Sequence, residues 1–156
     1  TIYIAISSAD SSSGEYIMEV VQEQSSSEGT PGDACNNPIA LQLGSSTLST
    51  SGEVYENLCG LDTSSPSVWL AFTAPSSGSL VLSTCVAGTD FDTVIAVVDS
   101  CQSLSCIASN DDTSCTYEGA SAVNLNLSAG EQVFIAIAGY QNASGTVQLV
   151  STFSSA

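Results

Sequence analysis

The chain alternates short apolar runs, rich in β-branched residues, with turns of Ser, Gly, Asn and Asp. In the clearest runs every second residue is apolar; Val123, Leu125 and Leu127, for example, are separated by two asparagines. This period is typical of half-buried strands, and no window of eleven or more residues shows the 3.6-residue period of a helix. The predicted strands are Ile2–Ile6, Tyr16–Val21, Val68–Thr73, Ser79–Thr84, Thr93–Val98, Ala122–Leu127, Gln132–Ala138 and Thr146–Ser151, with weaker candidates at Ile39–Leu43 and Leu104–Ala108. Their number and spacing predict an all-β fold, an antiparallel β-sandwich of the jelly-roll kind.

The first 21 residues repeat a segment near the other end of the sequence. Residues 1–21 align without gaps on residues 132–152, at an offset of 131. The identical pairs are Ile4 and Ile135, Ala5 and Ala136, Ile6 and Ile137, Ser13 and Ser144, and Gly14 and Gly145. Both segments have the pattern of a strand, a polar turn and a second strand, so we predict an extra N-terminal β-hairpin equivalent to a closing hairpin at 132–152. The alternative is that any two hairpins share this pattern.

The N-terminal hairpin is predicted to belong to, or dock on, a neighbouring module. The sandwich already contains its own copy at 132–152, and an isolated hairpin is only marginally stable in water. The residues predicted to make this inter-module contact are Ile2, Ile4, Ile6, Tyr16 and Met18. The chain then divides into the hairpin (1–21), a linker rich in Ser, Gly and Pro (22–31), a complete β-sandwich module (32–152), and the start of another linker or tail (153–156).

The charge balance excludes several classes of function. The 156 residues include 16 Asp and Glu but no Lys, Arg or His, for a net charge of −16. Without cations the chain has nothing to neutralise phosphate, so binding to nucleic acid and to anionic membranes is not expected. No run is long enough to insert into a membrane. Without His or Lys, the usual general bases and activated nucleophiles are missing, and we predict that the protein is not an enzyme.

Six cysteines with no histidine, and without paired CxxC spacing, favour disulfides over a zinc site. Six cysteines allow fifteen pairings. Proximity favours Cys101–Cys106 across a tight turn, after which Cys35–Cys59 and Cys85–Cys115 would follow. Disulfides persist in oxidising compartments, so an extracellular or cell-surface location is predicted.

An acidic constellation suggests a structural calcium site. Asp90, Asp92, Asp111 and Asp112 lie in two predicted strand-end loops. Calcium takes six to eight oxygen ligands, and converging carboxylates with no cation nearby would repel one another unless a metal lay among them. The alternative is that Asp92 and Asp111 accept hydrogen bonds from loop amides and the others point to solvent. A glycosidase pair is disfavoured because the single tryptophan, Trp69, lies inside a predicted strand and is expected in the core.

Two sequons predict N-glycosylation. Asn126 begins Asn-Leu-Ser on the polar face of a predicted strand, and Asn142 begins Asn-Ala-Ser in a predicted turn. Such sequons also arise by chance in a chain with 30 Ser and 13 Thr. O-glycosylation within Ser25–Thr30 is an equal possibility on composition.

The module resembles the bacterial pre-peptidase C-terminal domain group and related CUB-like sandwiches. The ordered segments that carry the resemblance are GDACNNPI from Gly32, VWLAFTAP from Val68, SGSLVLSTC from Ser77, DFDTVIAV from Asp90, NDD from Asn110 and GYQNASGT from Gly139. The resemblance implies a non-catalytic β-sandwich of a secreted or surface protein, sometimes present in tandem, and some related domains bind calcium. The sequence departs from the group's enzyme context in having no basic residue.

These observations favour a structural module of an extracellular or cell-surface filament or repeat protein, associating head to tail with copies of itself or adjacent repeats. Head-to-tail contacts that do not close generate filaments, and exposed strand edges can accept a neighbouring strand. The alternative is a module that binds glycans or another ligand within a larger secreted protein. An aromatic-lined concave face would favour the alternative, whereas end-to-end contacts would favour the filament.

Overall fold

A computed structural model describes residues 29–156, and within them nine strands form two sheets. The strands are β1 (Ile39–Ala40), β2 (Gly44–Ser49), β3 (Val68–Thr73), β4 (Gly78–Ser83), β5 (Thr93–Val98), β6 (Cys106–Asn110), β7 (Ala122–Leu127), β8 (Gln132–Gly139) and β9 (Thr146–Ser155). One 3₁₀ turn, Leu58–Gly60, interrupts the connection between β2 and β3. This part of the chain contains no α-helix, and the predicted all-β sandwich is confirmed.

The two sheets differ in size and in strand direction. The five-stranded sheet has the order β1-β3-β8-β5-β6, in which only β1 and β3 run parallel. The four-stranded sheet has the order β2-β9-β4-β7 and is antiparallel throughout. The predicted antiparallel arrangement therefore holds for every pair except the two-residue β1.

The apolar pattern located most strands closely. The predicted runs Val68–Thr73, Thr93–Val98 and Ala122–Leu127 coincide with β3, β5 and β7. The weak candidate 39–43 begins with β1 but extends three residues past its end, and 104–108 begins two residues before β6. Strand β2 was missed because its sequence, GSSTLS, contains a single apolar residue. It forms nevertheless, because β9 offers six consecutive residues as partners. The predicted strands before residue 22 lie outside the described residues.

The main core lies between the two sheets. It is formed by alternate residues along each strand, those whose side chains point towards the other sheet. In β7, for example, the three apolar residues face in and the asparagines face out. The largest fully buried members are Leu70, Leu80, Leu82, Ile95, Val97, Val133, Ile135, Ile137 and Leu149. Burying such side chains contributes about 1.5–3 kcal/mol each, which drives the association of the sheets.

A second, smaller core covers the outer face of the five-stranded sheet. All six residues of β5 are buried, which means that this strand is covered on both faces. On the outer face Trp69, Ala96, Val98 and Ala136 pack beneath Cys35 and Leu58, which come from the long connections before β3. Tyr55 meets Trp69 edge to face, with ring centroids 4.8 Å apart. Trp69 is fully buried, as its position inside a strand predicted.

The disulfides join these connections to the sheet, and two of the three predicted pairings were wrong. The bonds are Cys35–Cys101, Cys59–Cys106 and Cys85–Cys115. Only the last agrees with the proximity argument. The connections that cover the second core bring Cys35 and Cys59 to the β5–β6 turn, so each pairs with a cysteine there instead of with the other. A loop of 66 residues, as closed by Cys35–Cys101, destabilises the unfolded chain by about 4 kcal/mol.

The segment 132–152 is not the closing hairpin that was predicted. Strand β8 lies between β3 and β5 in one sheet, and β9 lies between β2 and β4 in the other. The connection crosses from sheet to sheet through residues 140–145, where Gln141 and Asn142 have positive φ angles of 47° and 67°. The two strands separate because each has a buried apolar face, and the core between the sheets receives both faces.

The boundary predicted at residue 152 is also wrong. Strand β9 continues to Ser155, which pairs with Gly78 of β4. Residues 153–155 therefore belong to the four-stranded sheet, and Phe153 packs against the core. The run Ser-Thr-Phe-Ser-Ser looks like a linker by composition because its outward positions are hydroxyls.

Candidate functional site: chain entry, chain exit and the acidic loops

The polypeptide enters the sandwich through a segment fixed by backbone hydrogen bonds. The carbonyl of Gly32 accepts a bond from the Trp69 amide (2.8 Å), and the carbonyl of Asp33 accepts one from the Glu53 amide (2.6 Å). Gly32 has a φ of 90°, and a Cβ there would lie 2.8 Å from Ile39 Cδ1. A glycine is therefore required at this point, where the chain turns to enter the sandwich.

The polypeptide leaves the sandwich beside a shallow groove. The amide of Ala156 donates to the carbonyl of Ser77 (2.9 Å), which extends the pairing of β9 with β4 by one bond. The groove has a volume of about 400 Å³ and is lined by Ser77, Gly78, Ser79, Asn126, Leu127, Ser154, Ser155 and Ala156. None of these side chains is charged, although the protein carries 16 carboxylates.

Entry and exit lie at opposite ends of the sandwich. A second groove, of about 210 Å³, contains the entry segment 30–33 together with Ser49 and Val68. Ser49 pairs with Thr146, the first residue of β9, whereas Gly78 at the exit pairs with Ser155, the last. A ten-residue strand at about 3.3 Å per residue spans roughly 30 Å, so the two ends are separated by about the length of the molecule. We call them the entry pole and the exit pole.

The residues predicted to make an inter-module contact, Ile2, Ile4, Ile6, Tyr16 and Met18, lie outside the described residues. The structure therefore tests neither their contacts nor the predicted hairpin at 1–21.

The structure brings three of the four predicted calcium ligands together. Asp92 immediately precedes β5, and Asp111 and Asp112 immediately follow its neighbour β6, so the three carboxylates share one end of the sheet. Burial raises the pKa of Asp92, and the negative charges of Asp111 and Asp112 raise it further. The pKa of Asp111 is raised by burial and by Asp112. Asp92 Oδ1 is buried and has no hydrogen-bond partner among the described residues.

Asp90, the fourth predicted ligand, has another role. Its Oδ1 accepts a hydrogen bond from the amide of Thr146 at 2.9 Å, which ties the loop before β5 to the start of β9. This differs from the alternative in which Asp90 points to solvent and Asp92 accepts a bond from a loop amide. Within residues 29–156 no three side chains of Asp, Glu, His or Cys are arranged to hold a metal ion. Calcium binding by Asp92, Asp111 and Asp112 remains a prediction.

A buried cluster of hydroxyls beside these carboxylates was not found by sequence reasoning. Thr84 Oγ1 lies 2.7 Å from Thr93 Oγ1 and accepts a hydrogen bond from the Ser121 amide at 2.8 Å. Ser121 Oγ donates to the carbonyl of Thr93 (2.5 Å) and also to that of Asp111. The cluster joins the end of β4 to the starts of β5 and β7 and so links the two sheets. With 43 Ser and Thr in the chain, no local signal separates these three from the rest.

Both predicted glycosylation acceptors are accessible. Asn126 is exposed on the outward face of β7, where it pairs in register with Ser79 of β4. Asn142 is exposed in the connection between β8 and β9. Their exposure is compatible with modification, which stays a prediction.

Two aromatic side chains, Trp69 and Phe72, are buried and therefore cannot stack on a glycan. Trp69 is covered by the second core, and Phe72 and Phe153 pack together at 5.5 Å in the main core. Tyr117 is 41% exposed, in the loop between β6 and β7. The glycan-binding alternative stays a prediction.

No helix in the described part of the chain is long and apolar enough to cross a membrane.

Comparison with known proteins identifies the fold. No family model matches the sequence, and no curated protein matches it. The pre-peptidase C-terminal domain of collagenase from Bacillus anthracis is similar in structure, with a TM-score of 0.51 and 14% identity over 80% of this chain and 99% of that one. Aeromonas hydrophila PliG, a periplasmic lysozyme inhibitor of g-type lysozyme, gives a TM-score of 0.47 and 12% identity over 74% and 95% of the two chains. The first likeness shows a β-sandwich like that of pre-peptidase C-terminal domains, as the sequence motifs implied.

Proposed function

We propose that this chain is a non-catalytic structural module of an extracellular or cell-surface filament or repeat protein, joined head to tail to copies of itself or to adjacent repeats. The observation that carries the proposal is the separation of the entry pole from the exit pole. A module whose chain enters at one end and leaves at the other places its neighbours along one axis.

The distribution of charge supports contact at the poles. Two copies of this chain, each with a net charge of −16, repel over any surfaces that carry carboxylates, and the chain has no cation to offset this. The exit groove is lined only by Ser, Gly, Asn, Leu and Ala. A neighbouring module can therefore approach this groove without bringing carboxylates against carboxylates on the groove's own wall.

The disulfide arrangement supports a module that resists tension and that lies in an oxidising compartment. Cys35 lies only two residues after the entry segment 30–33, and its bond to Cys101 anchors that segment to the β5–β6 turn. At the other end, β9 is hydrogen-bonded on both sides, to β2 and to β4. Tension along the molecular axis would pull β9 lengthwise past β2 and β4. Many of the hydrogen bonds between these strands would then have to break at the same time. All six cysteines are paired, which is typical of proteins outside the reducing cytosol.

Electron microscopy of the native material tests this proposal. We expect rows of beads one module wide, with a spacing close to the roughly 30 Å span of β9 plus the loops at both poles. Asn126→Arg at the exit groove would place a cation there and should change the contacts between beads. Asn124→Arg is the matched control, because it lies on the same exposed face of β7 but outside the groove lining, and it should leave the contacts unchanged. Native material consisting only of single compact particles, or of closed rings, would contradict the proposal.

A further inference from the structure

The burial pattern of β8 explains which residues are repeated at the start of the chain. Val133, Ile135 and Ile137 of β8 are fully buried in the main core. At the offset of 131 their counterparts are Ile2, Ile4 and Ile6. Every inward position of the strand is thus isoleucine or valine in both copies.

The outward face of β8 repeats at its central position, Ala136. Ala136 is 1% exposed and lies directly opposite Trp69 in the second core. Its counterpart is Ala5. A free-standing hairpin has no reason to keep a small residue at this point, so the identity favours a second copy of this strand.

Strand β9 and the turn before it give the same result. Val147 and Leu149 are buried, and their counterparts are Tyr16 and Met18. A Cβ on Gly145 would lie 2.3 Å from Asp90 Oδ1, and the counterpart of this residue is Gly14. The glycine is needed to leave room for a carboxylate on a different loop of the module, which a free-standing hairpin does not possess.

The topology shows which neighbouring strands a second copy of β8 and β9 would need. Both β8 and β9 are internal strands, each hydrogen-bonded on two sides, so a second copy of the pair needs a β3, a β5, a β2 and a β4 around it. In the described module those positions are filled by its own β8 and β9. A separate copy of this chain is filled in the same way and has no vacancy for the pair.

We infer that residues 1–24 are the last two strands of a preceding module in the same polypeptide, so that the modules form a covalent tandem array with a period of 131 residues. This inference rests on the proposed function and deepens it by naming the partner. Gln24 corresponds to Ser155, the last residue of β9, and the next entry segment begins at Gly29. Only residues 25–28 connect the modules, which at about 3.3 Å per residue holds the exit groove of one module beside the entry pole of the next.

The test is a two-module polypeptide in which residues 25–131 are placed before residue 1 of the full 156-residue chain. Residues 1–24 are then available to complete the first module, as residues 132–155 complete the second. Amide hydrogen exchange is followed at residues 2–6 and 133–137, in this polypeptide and in the 156-residue chain. The matched variants are Ile4→Asp, whose counterpart Ile135 is fully buried, and Ser11→Asp, whose counterpart Asn142 is exposed.

In the two-module polypeptide we expect a monomer with six disulfides, in which residues 2–6 are protected at least 100-fold over the unfolded rate, as residues 133–137 are. Ile4→Asp should abolish protection in the first module only, and Ser11→Asp should leave both modules protected. Unprotected residues 2–6 in the two-module polypeptide would overturn the inference. Equal protection of these residues in a monomer of the 156-residue chain would also overturn it, because they would then dock on their own module.

Small-angle scattering of the same polypeptide separates this inference from the proposed function. Two protected modules lying side by side would leave the tandem array standing but would contradict head-to-tail stacking. Filaments of the 156-residue chain in which residues 2–6 are protected by a neighbouring subunit would support the proposed function and overturn the covalent array.

Discussion

Trp69 of β3 and Ala136 of β8 lie directly opposite one another, and both face the second core on the outside of the five-stranded sheet. The indole fills the space that the methyl group leaves, and Tyr55 closes the cluster edge-on. This pair connects the covering loops, and hence two of the disulfides, to the centre of the sheet.

The first prediction concerns the size of the residue at position 136. Ala136→Leu adds three carbons beneath Trp69 and should lower the free energy of unfolding by about 1–3 kcal/mol through overpacking. Denaturant unfolding monitored by the fluorescence of this single tryptophan measures the change. Ala129→Leu, at an exposed loop position, is the matched control and should have little effect. A variant at 136 as stable as the parent would mean that the second core is loosely packed.

The second prediction is a pH dependence caused by Asp92. Because its pKa is raised in the folded state, folding favours its protonated form. The ionised carboxylate therefore costs stability at neutral pH, and this cost disappears as the pH falls through the folded pKa. Asp92→Asn should raise stability at pH 7 by up to about 1 kcal/mol, because solvent screens this partly exposed group. The gain should shrink as the pH approaches 4, measured by thermal unfolding between pH 3.5 and 7.5.

Asp99→Asn is the control with the opposite sign. The pKa of Asp99 is lowered, chiefly by the hydrogen bond that its carboxylate accepts from Ser103 Oγ. Its contribution to stability is present at neutral pH and is lost as the pH falls through the folded pKa. This variant should lower the melting temperature at pH 7. If both variants shifted the melting temperature in the same direction, the assigned origin of the Asp92 shift would be wrong.

The third prediction is that calcium stabilises the module through Asp92, Asp111 and Asp112. Binding to the folded state alone adds about 2.7 kcal/mol at a hundredfold excess over Kd. Millimolar calcium should therefore raise the melting temperature and EDTA should reverse the effect. Asp112→Asn should weaken the response, whereas Asp90→Asn should retain it, because Asp90 binds the Thr146 amide instead. A melting temperature insensitive to both calcium and EDTA would exclude the site.

The fourth prediction is the disulfide map. Alkylation of the denatured, unreduced protein should add no mass, because all six cysteines are paired. Cleavage after acidic residues, needed because the chain has no tryptic site, should release cross-linked peptides that pair Cys35 with Cys101 and Cys59 with Cys106. Peptides that pair Cys101 with Cys106 would agree with the pairing expected from closeness in sequence. They would contradict the arrangement in which Cys35 and Cys59 are held over the second core.

At the acidic loops, the sequence could not predict contacts between residues that are far apart in the chain. Asp92 and Asp111 were grouped correctly because each adjoins an apolar strand, and antiparallel neighbours bring such positions together. The hydrogen bond of Asp90 could not be predicted, because its partner, the Thr146 amide, belongs to the other sheet. The hydroxyl cluster of Thr84, Thr93 and Ser121 was invisible, because burial of a serine or threonine depends on what folds over it.

The sequence by itself determined that the protein is a disulfide-bonded β-sandwich without the usual catalytic groups, because side-chain alternation and composition act locally along the chain. Only the tertiary structure decided which sheet each strand joins. Residues 132–152 look like a hairpin in isolation, yet β8 and β9 separate because both bury an apolar face and the space between the sheets admits both. The tertiary structure also places Cys35 and Cys59 over the outer face of the five-stranded sheet, where they bond to Cys101 in the β5–β6 turn and to Cys106 at the start of β6. Proximity along the chain cannot indicate such a pairing, since it depends on how the whole chain packs.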